Sequence, residues 1–384
     1  MTVIERPPLL SRLRPWFSGF DVPLLLAVRW LCGWGLLCMY SAGYDHGTRF
    51  VDHARNMALA LGLMYLVSRV PPQKLMALAV PLYALGIALL VATAVFGVTK
   101  KGATRWLSIG VTQIQPSELL KIATPLMLAW WFHKREGLLR WPDFLAGFAL
   151  LLLPFFLIAK QPDLGTGLLV MAAGLYVIFF AGLPWKLIVP ALVLAAAGAT
   201  ALVFSEDTIC QPDVTWPVLK PYQKHRICTL LDPSKDPLGK GFHIIQGEIA
   251  IGSGGLTGKG FMQGTQTHLE FIPERTTDFI FAAFGEEFGL YGALALLAGF
   301  TALILRGLAI ASDAPTLFTR LMAGAVTMSF FTYVFVNVGM VSGILPVVGV
   351  PLPFVSYGGT AMVTLGLSLG LLLSIARVKK LVKT

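Results

Sequence analysis

Ten stretches of this chain are too continuously apolar to be left in water, and nothing constrains its fold more. They fall at 21–41, 55–70, 75–97, 116–133, 144–159, 165–182, 185–205, 278–305, 319–345 and 358–378. A bilayer core about 30 Å thick is crossed by around 20 helical residues. Inside it every backbone N–H and C=O needs a protein partner, which leaves helices or closed barrels. Barrel strands alternate apolar and polar residues, and these runs do not. Composition agrees: apolar residues make up 56% of the chain and charged ones 13%, against roughly 45–50% and about 25% in soluble domains. The predicted fold is a single all-α polytopic membrane domain of about ten transmembrane helices.

Lys and Arg in short loops set the orientation. With residues 1–20 inside, cytoplasmic segments hold fifteen of them and the short outer loops six, so both termini, including 379–384, are expected in the cytoplasm. The first 20 residues hold no small-residue cleavage site, so the first run is expected to remain as a span. Residues 206–277 form a 72-residue extracytoplasmic loop between helices 7 and 8, long enough to cross regardless of charge. The net charge of +10 is assigned to cytoplasmic loops and not to nucleic-acid binding. Arg29 lies inside the first span, where it is expected to snorkel toward the inner face.

Polar residues at the outer face are the candidates for chemistry. Asp278 stands where water meets the eighth run, and partial desolvation there makes a carboxylate a stronger base near neutral pH. At 100° per residue Ala282, Gly285 and Gly289 lie beneath it, a face that suits a lipid tail and equally a tight helix contact. Glu286 and Glu287 follow, and at least one needs a partner inside the bundle. Gln115-Pro116-Ser117-Glu118 opens the fourth run, and Glu118 and Lys121 can pair three residues apart. Such charges mark function in membranes, or an ion pair that orders the bundle. Lys100, Lys101, Arg105 and Trp106 form a cationic, aromatic loop suited to a pyrophosphate or to interfacial anchoring, and Asp163 adds an acid. The glycine-rich stretch Gly252–Gly260 fails as a phosphate-binding P-loop, because Ser253 stands where a Gly is needed and Gly260 where Ser or Thr should follow Lys259. It reads as a flexible re-entry segment. Residues 237–251 mix apolar and polar faces and are expected along the membrane surface. Cys210 and Cys228, 18 positions apart on the oxidising side, are candidates for a disulfide, which would contribute about 3 kcal/mol. No Cys/His spacing resembles a metal site.

These motifs together resemble the SEDS family (shape, elongation, division and sporulation). The resemblance rests on Lys101-Gly102 through Arg105-Trp106-Leu107, Gln115 to Glu118, Gln161-Pro162-Asp163-Leu164-Gly165-Thr166, and Pro273-Glu274 with Thr277-Asp278-Phe279-Ile280-Phe281-Ala282 and Gly285-Glu286-Glu287. It continues through Asn337-Val338-Gly339-Met340, Gly349-Val350-Pro351-Leu352-Pro353-Phe354 and Ser356-Tyr357-Gly358-Gly359-Thr360. Leu231-Asp232-Pro233 with Asp236-Pro237-Leu238-Gly239 is more similar to the rod-shape branch than to the division branch.

The resemblance implies a peptidoglycan glycosyltransferase that polymerises lipid II outside the bacterial inner membrane. Asp278 matches the family's essential acid and would be the general base, with undecaprenyl pyrophosphate leaving. Arg105, Lys121 and Arg226 would hold the pyrophosphate. Trp106, Glu118 and Asp163 complete the expected substrate site, and Glu118, Asp163 and Glu274 are possible second acids. A divalent cation could share the task, though no ligand cluster identifies one. A class B penicillin-binding protein is the implied crosslinking partner, with membrane lipids around both. The alternatives are a lipid II flippase, for which Glu118, Lys121 and Glu286 would line a path, and a scaffold that would tolerate Asp278→Asn.

Overall fold

A computed structural model describes residues 20–378 except 46, 101–102, 110–111, 138, 212–213, 215, 217–220, 237–238 and 273. The expected cytoplasmic segments 1–19 and 379–384, and Lys101, Gly102, Pro237, Leu238 and Pro273 of the motifs, lie outside the described residues. All ten apolar runs are helical. In chain order the helices are α1 (Val22–Ala42), α2 (Arg49–Ser68), a short α3 (Pro72–Ala77), α4 (Ala79–Phe96), α5 (Pro116–His133), α6 (Trp141–Lys160), α7 (Leu164–Phe180) and α8 (Trp185–Phe204). After the large loop come α13 (Ile280–Asp313), α14 (Leu317–Val341) and α15 (Gly359–Ala376).

Seven of these, α1, α4, α6, α8, α13, α14 and α15, are long and apolar enough to cross a membrane. The other three runs fall short for local reasons. Helix α2 carries Arg49, Asp52 and Arg55 in its first turns, α5 carries Glu118 and Lys121, and α7 has 17 residues. The chain is thus a multi-pass membrane protein whose charges are gathered at helix starts.

Helices α14 and α15 are mostly buried, whereas α8 buries no residue. Small residues let backbones approach in the bundle, as expected where lipid offers no hydrophobic drive between helices. Thus Gly366 and Gly370 of α15 face the Ala60 and Met64 carbonyls of α2. Beside the C-terminal end of α15, Asp21 caps α1 and takes two hydrogen bonds from the Arg306 Nε, at 2.9 and 3.1 Å, and one from its Nη2 at 2.6 Å.

The fold departs from the all-α expectation between α4 and α5. There β1 (Val98–Lys100), β2 (Ala103–Ile109) and β3 (Thr112–Ile114) form a three-stranded antiparallel sheet, with Trp106 opposite Val98. Val98, Thr99, Thr104, Trp106, Ile109 and Ile114 supply the β-branched and aromatic residues that favour strands.

The large loop is folded as well. It holds α9 (Glu206–Ile209), α10 (Pro221–Leu231), a 3-10 turn (Pro233–Lys235), α11 (Lys240–Gly254) and α12 (Thr265–His268). A disulfide joins Cys210 to Cys228 with their Cα atoms 5.6 Å apart. It ties α9 to α10 around a cleft of about 880 Å³ that reaches Lys235 and Asp236. Lys235 donates to Glu206, which raises its pKa, as does its pairing with Asp232. Replacing Cys228 with Ser should destabilise this cap by about 3 kcal/mol. Hydrogen exchange would then quicken across 206–236 and stay slow in α14 and α15; unchanged exchange would show that other contacts hold the cap.

Helix α11 turns part of its apolar side into the protein: Ile244 and Ala250 are buried, and Gly247 packs on Phe279 and the Val341 carbonyl. The eighth run is not one continuous helix either. Gly289, at φ 62° and ψ −162°, breaks α13 after its first turns. The break frees backbone groups, and the glycine stretch answers them. Lys259 and Gly260 donate to the carbonyls of Glu286 and Glu287, both at 3.0 Å, while Leu290 and Tyr291 donate to those of Gly255 and Leu256, at 2.9 and 3.1 Å. The stretch is therefore a fitted plug and not a flexible re-entry segment. The small-residue face below Asp278 is a backbone contact and not a lipid groove, since Gly285 meets Ile251 and Gly289 meets Gly258. Both acids beside it are partnered: Glu286 accepts from Lys259, Thr265, Gln266 and Thr267, and Glu287 from Ser41.

Candidate active site

Asp278 lies, partly exposed, at the end of a run of turns from 274 to 279 that leads into α13. Within that run Thr277 and Phe279 both donate their N–H to the Glu274 carbonyl, at 3.0 and 3.1 Å. Arg275 is buried beneath it, donating to the Ala42 carbonyl at 3.1 Å and pairing with Asp45. The end of α1 thereby anchors the turn.

The rest of the cage comes from the far end of the chain. Three consecutive backbone carbonyls are each held by a separate donor. The Tyr357 N–H bonds the Thr276 carbonyl at 2.8 Å, the Ser356 hydroxyl the Thr277 carbonyl at 2.7 Å, and the Asn337 amide the Asp278 carbonyl at 2.9 Å. Asn337 is fully buried and also donates to the Val350 carbonyl at 2.7 Å. Ser356 accepts from the Leu352 N–H at 2.8 Å. The Asp278 backbone is thus fixed by groups from α14 and the loop after it, independently of its carboxyl group.

Gly349 in that loop is at φ +77°, and a Cβ placed there would come within 3.1 Å of the Asp278 Oδ2. Gly349→Ala should therefore strain the loop by about 1–2 kcal/mol and push the carboxylate aside. We expect a fold preserved by thermal melt and any catalysis that uses this carboxylate lowered at least about tenfold, equivalent to about 1.4 kcal/mol in the barrier. Wild-type activity would mean that the carboxylate does not need this space.

One residue earlier, the Val348 carbonyl faces Gly165 of α7, where a Cβ would lie 2.7 Å away. This contact brings the Asp163 cluster alongside. Asp163 caps α7 through the Thr166 N–H at 3.3 Å and accepts from Gln115 at 2.8 Å, and the Arg105 guanidinium stands 3.7 Å from it. Arg105 also donates to the Pro162 carbonyl at 2.8 Å. Asp278 and the start of α7 thus meet one loop, residues 348–349, and Asp163 and Arg105 belong to the cluster at that start of α7.

Glu118 and Lys121 form a second cluster deeper along α5. They pair at 2.6 Å, Thr364 donates to Glu118 at 3.0 Å, and the Lys121 ammonium lies 5.4 Å from the Tyr333 ring centre. Gln115, bonded to Asp163, joins the two clusters through one helix. Trp106 sits in β2 beside Arg105. Arg226 is on α10 in the disulfide-bonded cap, which connects to Phe279 by way of α11.

Sequence reasoning missed several contributors. Arg49, counted only for orientation, donates to Thr276 and lies over the Tyr357 ring at 5.7 Å. Asn337, Gly349 and Ser356 stood in recognisable motifs without a role. Among the described residues no group of three or more His, Cys, Asp or Glu is placed to hold a metal ion.

Comparison with known proteins places this arrangement in a family. A family model described as FTSW_RODA_SPOVE, cell cycle protein, matches residues 23–381. The chain is 46% identical over 362 residues to peptidoglycan glycosyltransferase MrdB of Escherichia coli (strain K12), covering 94% of each. It is 32% identical to peptidoglycan glycosyltransferase RodA of Treponema pallidum (strain Nichols), over 93% of this chain and 98% of that one. Among solved structures it is similar to a chain described under structural coordination of polymerization and crosslinking by a peptidoglycan synthase complex, with a TM-score of 0.77 at 32% identity, covering 94% of this chain and 98% of that one. The crystal structure of Thermus thermophilus rod shape determining protein RodA gives a TM-score of 0.69 at 27% identity with the same coverage. With matches that run nearly end to end, the chain belongs to the FtsW/RodA/SpoVE family of cell cycle proteins.

Proposed function

We propose that this protein is a peptidoglycan glycosyltransferase that polymerises lipid II during cell elongation, with Asp278 as its general base. The observation that carries the reading is the cage around Asp278: a partly exposed carboxylate whose own backbone carbonyl and those of the two residues before it are held by three separate donors. Such preorganisation is what proton transfer at a fixed point requires. The relatives named as peptidoglycan glycosyltransferases support the reaction class.

In this mechanism Asp278 takes the proton from the 4-hydroxyl of the acceptor GlcNAc. The oxygen forms a bond to the anomeric carbon of the donor sugar, and the bond from that carbon to the pyrophosphate oxygen breaks. Undecaprenyl pyrophosphate leaves with the electron pair. Arg49 borders the cage and Arg105 stands in the Asp163 cluster; both are suited to its phosphates as bidentate donors. Lys121 is already neutralised by Glu118, which favours an ordering role for the pair over direct phosphate binding. Arg226 would act from the cap, and Trp106 would line the approach. Alanine at Arg49, Arg105, Lys121 or Arg226 tests these roles: we expect at least a tenfold loss of polymerisation from the Arg49 and Arg105 variants, equivalent to about 1.4 kcal/mol. Normal activity in all four would remove the cationic site.

The proposed topology has ten spans in the inner membrane, both termini in the cytoplasm and residues 206–277 outside. A class B penicillin-binding protein is the proposed partner; the similarity to a chain of a peptidoglycan synthase complex is consistent with that. The test is polymerisation of labelled lipid II by the purified complex, with glycan chains resolved on a gel. Long chains are expected. No chains from an intact, folded complex would turn the reading toward lipid II transport.

A further inference from the structure

Arg29 on α1 has no role in the site above, and its surroundings are unusual for a cation. It lies seven residues after Val22, about 10 Å along the helix, and its side chain is exposed on the bundle's outer surface. The arginines at its end of the bundle include three with partners, while exposed Arg320, like Arg29, has no side-chain partner among the described residues. Arg306 pairs with Asp21 at 2.6 Å, Arg135 with Asp143 at 2.8 Å, and Arg377 donates to the Ser68 carbonyl at 3.1 Å. No described residue gives Arg29 an ion pair or hydrogen bond. A guanidinium does not lose its proton, and where it snorkels to the lipid headgroups an anion there stabilises it.

Beside it is a built groove of about 490 Å³ on the face of α1, lined by Leu26, Arg29, Trp30, Gly33, Trp34 and Leu37. Its walls are set by neighbours. The Trp30 indole N–H donates to the Ala295 carbonyl at 3.0 Å, and Trp34 packs edge-on against Trp30, Phe284 and Phe288 with ring centres 5.8, 5.3 and 5.1 Å apart. At Gly33 there is open space, with nothing within 4 Å of where a Cβ would stand. One end of the groove is cationic and the rest apolar and aromatic.

We propose that this groove is a binding site for an anionic phospholipid, whose phosphate is taken by Arg29 and whose acyl chain lies over Gly33 against the outer faces of Trp30 and Trp34. Guanidinium and phosphate match as bidentate partners. A zwitterionic lipid would bring its own ammonium beside a cation that has no partner among the described residues, so the site selects net negative charge. Because Arg29 lies near the start of α1, the lipid belongs to the leaflet on that side, the cytoplasmic one in the topology proposed above.

Native mass spectrometry of the detergent-purified full chain, titrated with phosphatidylglycerol or phosphatidylcholine, tests this. Arg29→Gln and Gly33→Leu are both expected to weaken phosphatidylglycerol retention about tenfold, the scale of one charge-assisted contact or of a filled groove. Their melting temperatures in detergent should match the wild type, since Arg29 is exposed and Gly33 has room. Unchanged phosphatidylglycerol retention in both variants would overturn the site, as would equal retention of phosphatidylcholine by the wild type. A photo-crosslinking amino acid in place of Leu26, used in native membranes, should yield a lipid adduct; a discrete polypeptide adduct would assign the groove to a partner helix instead.

Discussion

Asp278→Asn is expected to abolish glycan polymerisation while leaving the protein folded and in the membrane. The substitution keeps the side chain's volume and removes its basicity. General base catalysis is worth about 10²–10⁴ in rate, so the loss should be at least of that order. Folding is insulated from the change, because the turn is held through the carbonyls of residues 276, 277 and 278 by Tyr357, Ser356 and Asn337, and through Arg275 to the end of α1. The measurement is the gel assay with labelled lipid II, run beside a thermal melt of both proteins. Equal chain yields would take Asp278 out of the reaction and leave its cage without a catalytic reason.

The largest effect on folding is expected from Gly289→Ala. Its backbone lies in a region open essentially to glycine alone, and a Cβ would overlap the Gly258 nitrogen and approach the Leu256 carbonyl to 2.8 Å. Both opposing atoms are backbone, so neither can swing away. Accommodating alanine would sacrifice the four hydrogen bonds between 255–260 and 286–291. With backbone strain of about 1–2 kcal/mol and about 1 kcal/mol for each bond, the cost is on the order of 5 kcal/mol. We expect little monodisperse protein after detergent extraction. Gly252→Ala, with no atom within 4 Å of the added carbon, is the matched control and should behave as wild type. A Gly289 variant with the wild-type melting temperature would show that the break can be rebuilt.

Local chemistry in the sequence reaches the helices and part of the site, and stops where distant segments meet. Every apolar run became a helix, because twenty apolar residues have few other options in a bilayer. The Glu118–Lys121 pair was readable because helix geometry places residues three apart on one face. The break at Gly289 was not readable: it lies within an apolar run, and a glycine there reads equally as a packing residue. Its cause is in residues 255–260, some thirty positions earlier. The sheet at 98–114 was hidden among charges that drew a loop reading. Arg49 looked like one of many loop cations until folding set it beside Thr276 and Tyr357. Asn337 shows the general limit, since nothing near it in sequence says which carbonyls it will hold.

The distance along the chain between Asp278 and its cage also sets a timetable. Asn337 follows Asp278 by 59 residues, and Ser356 follows Thr277 by 79. At about 5–20 residues per second, a ribosome needs on the order of ten seconds to cover that span. For most of that interval the carboxylate has been made while none of the three donors that fix its turn has, and after Asn337 two are still to come. The nascent chain can enter the membrane helix by helix and remain inert until α14 and the loop beyond it arrive. Synthesis interrupted before Ser356 would leave a membrane-inserted protein with an acid and no working geometry, so catalytic competence is among the last properties the growing chain acquires.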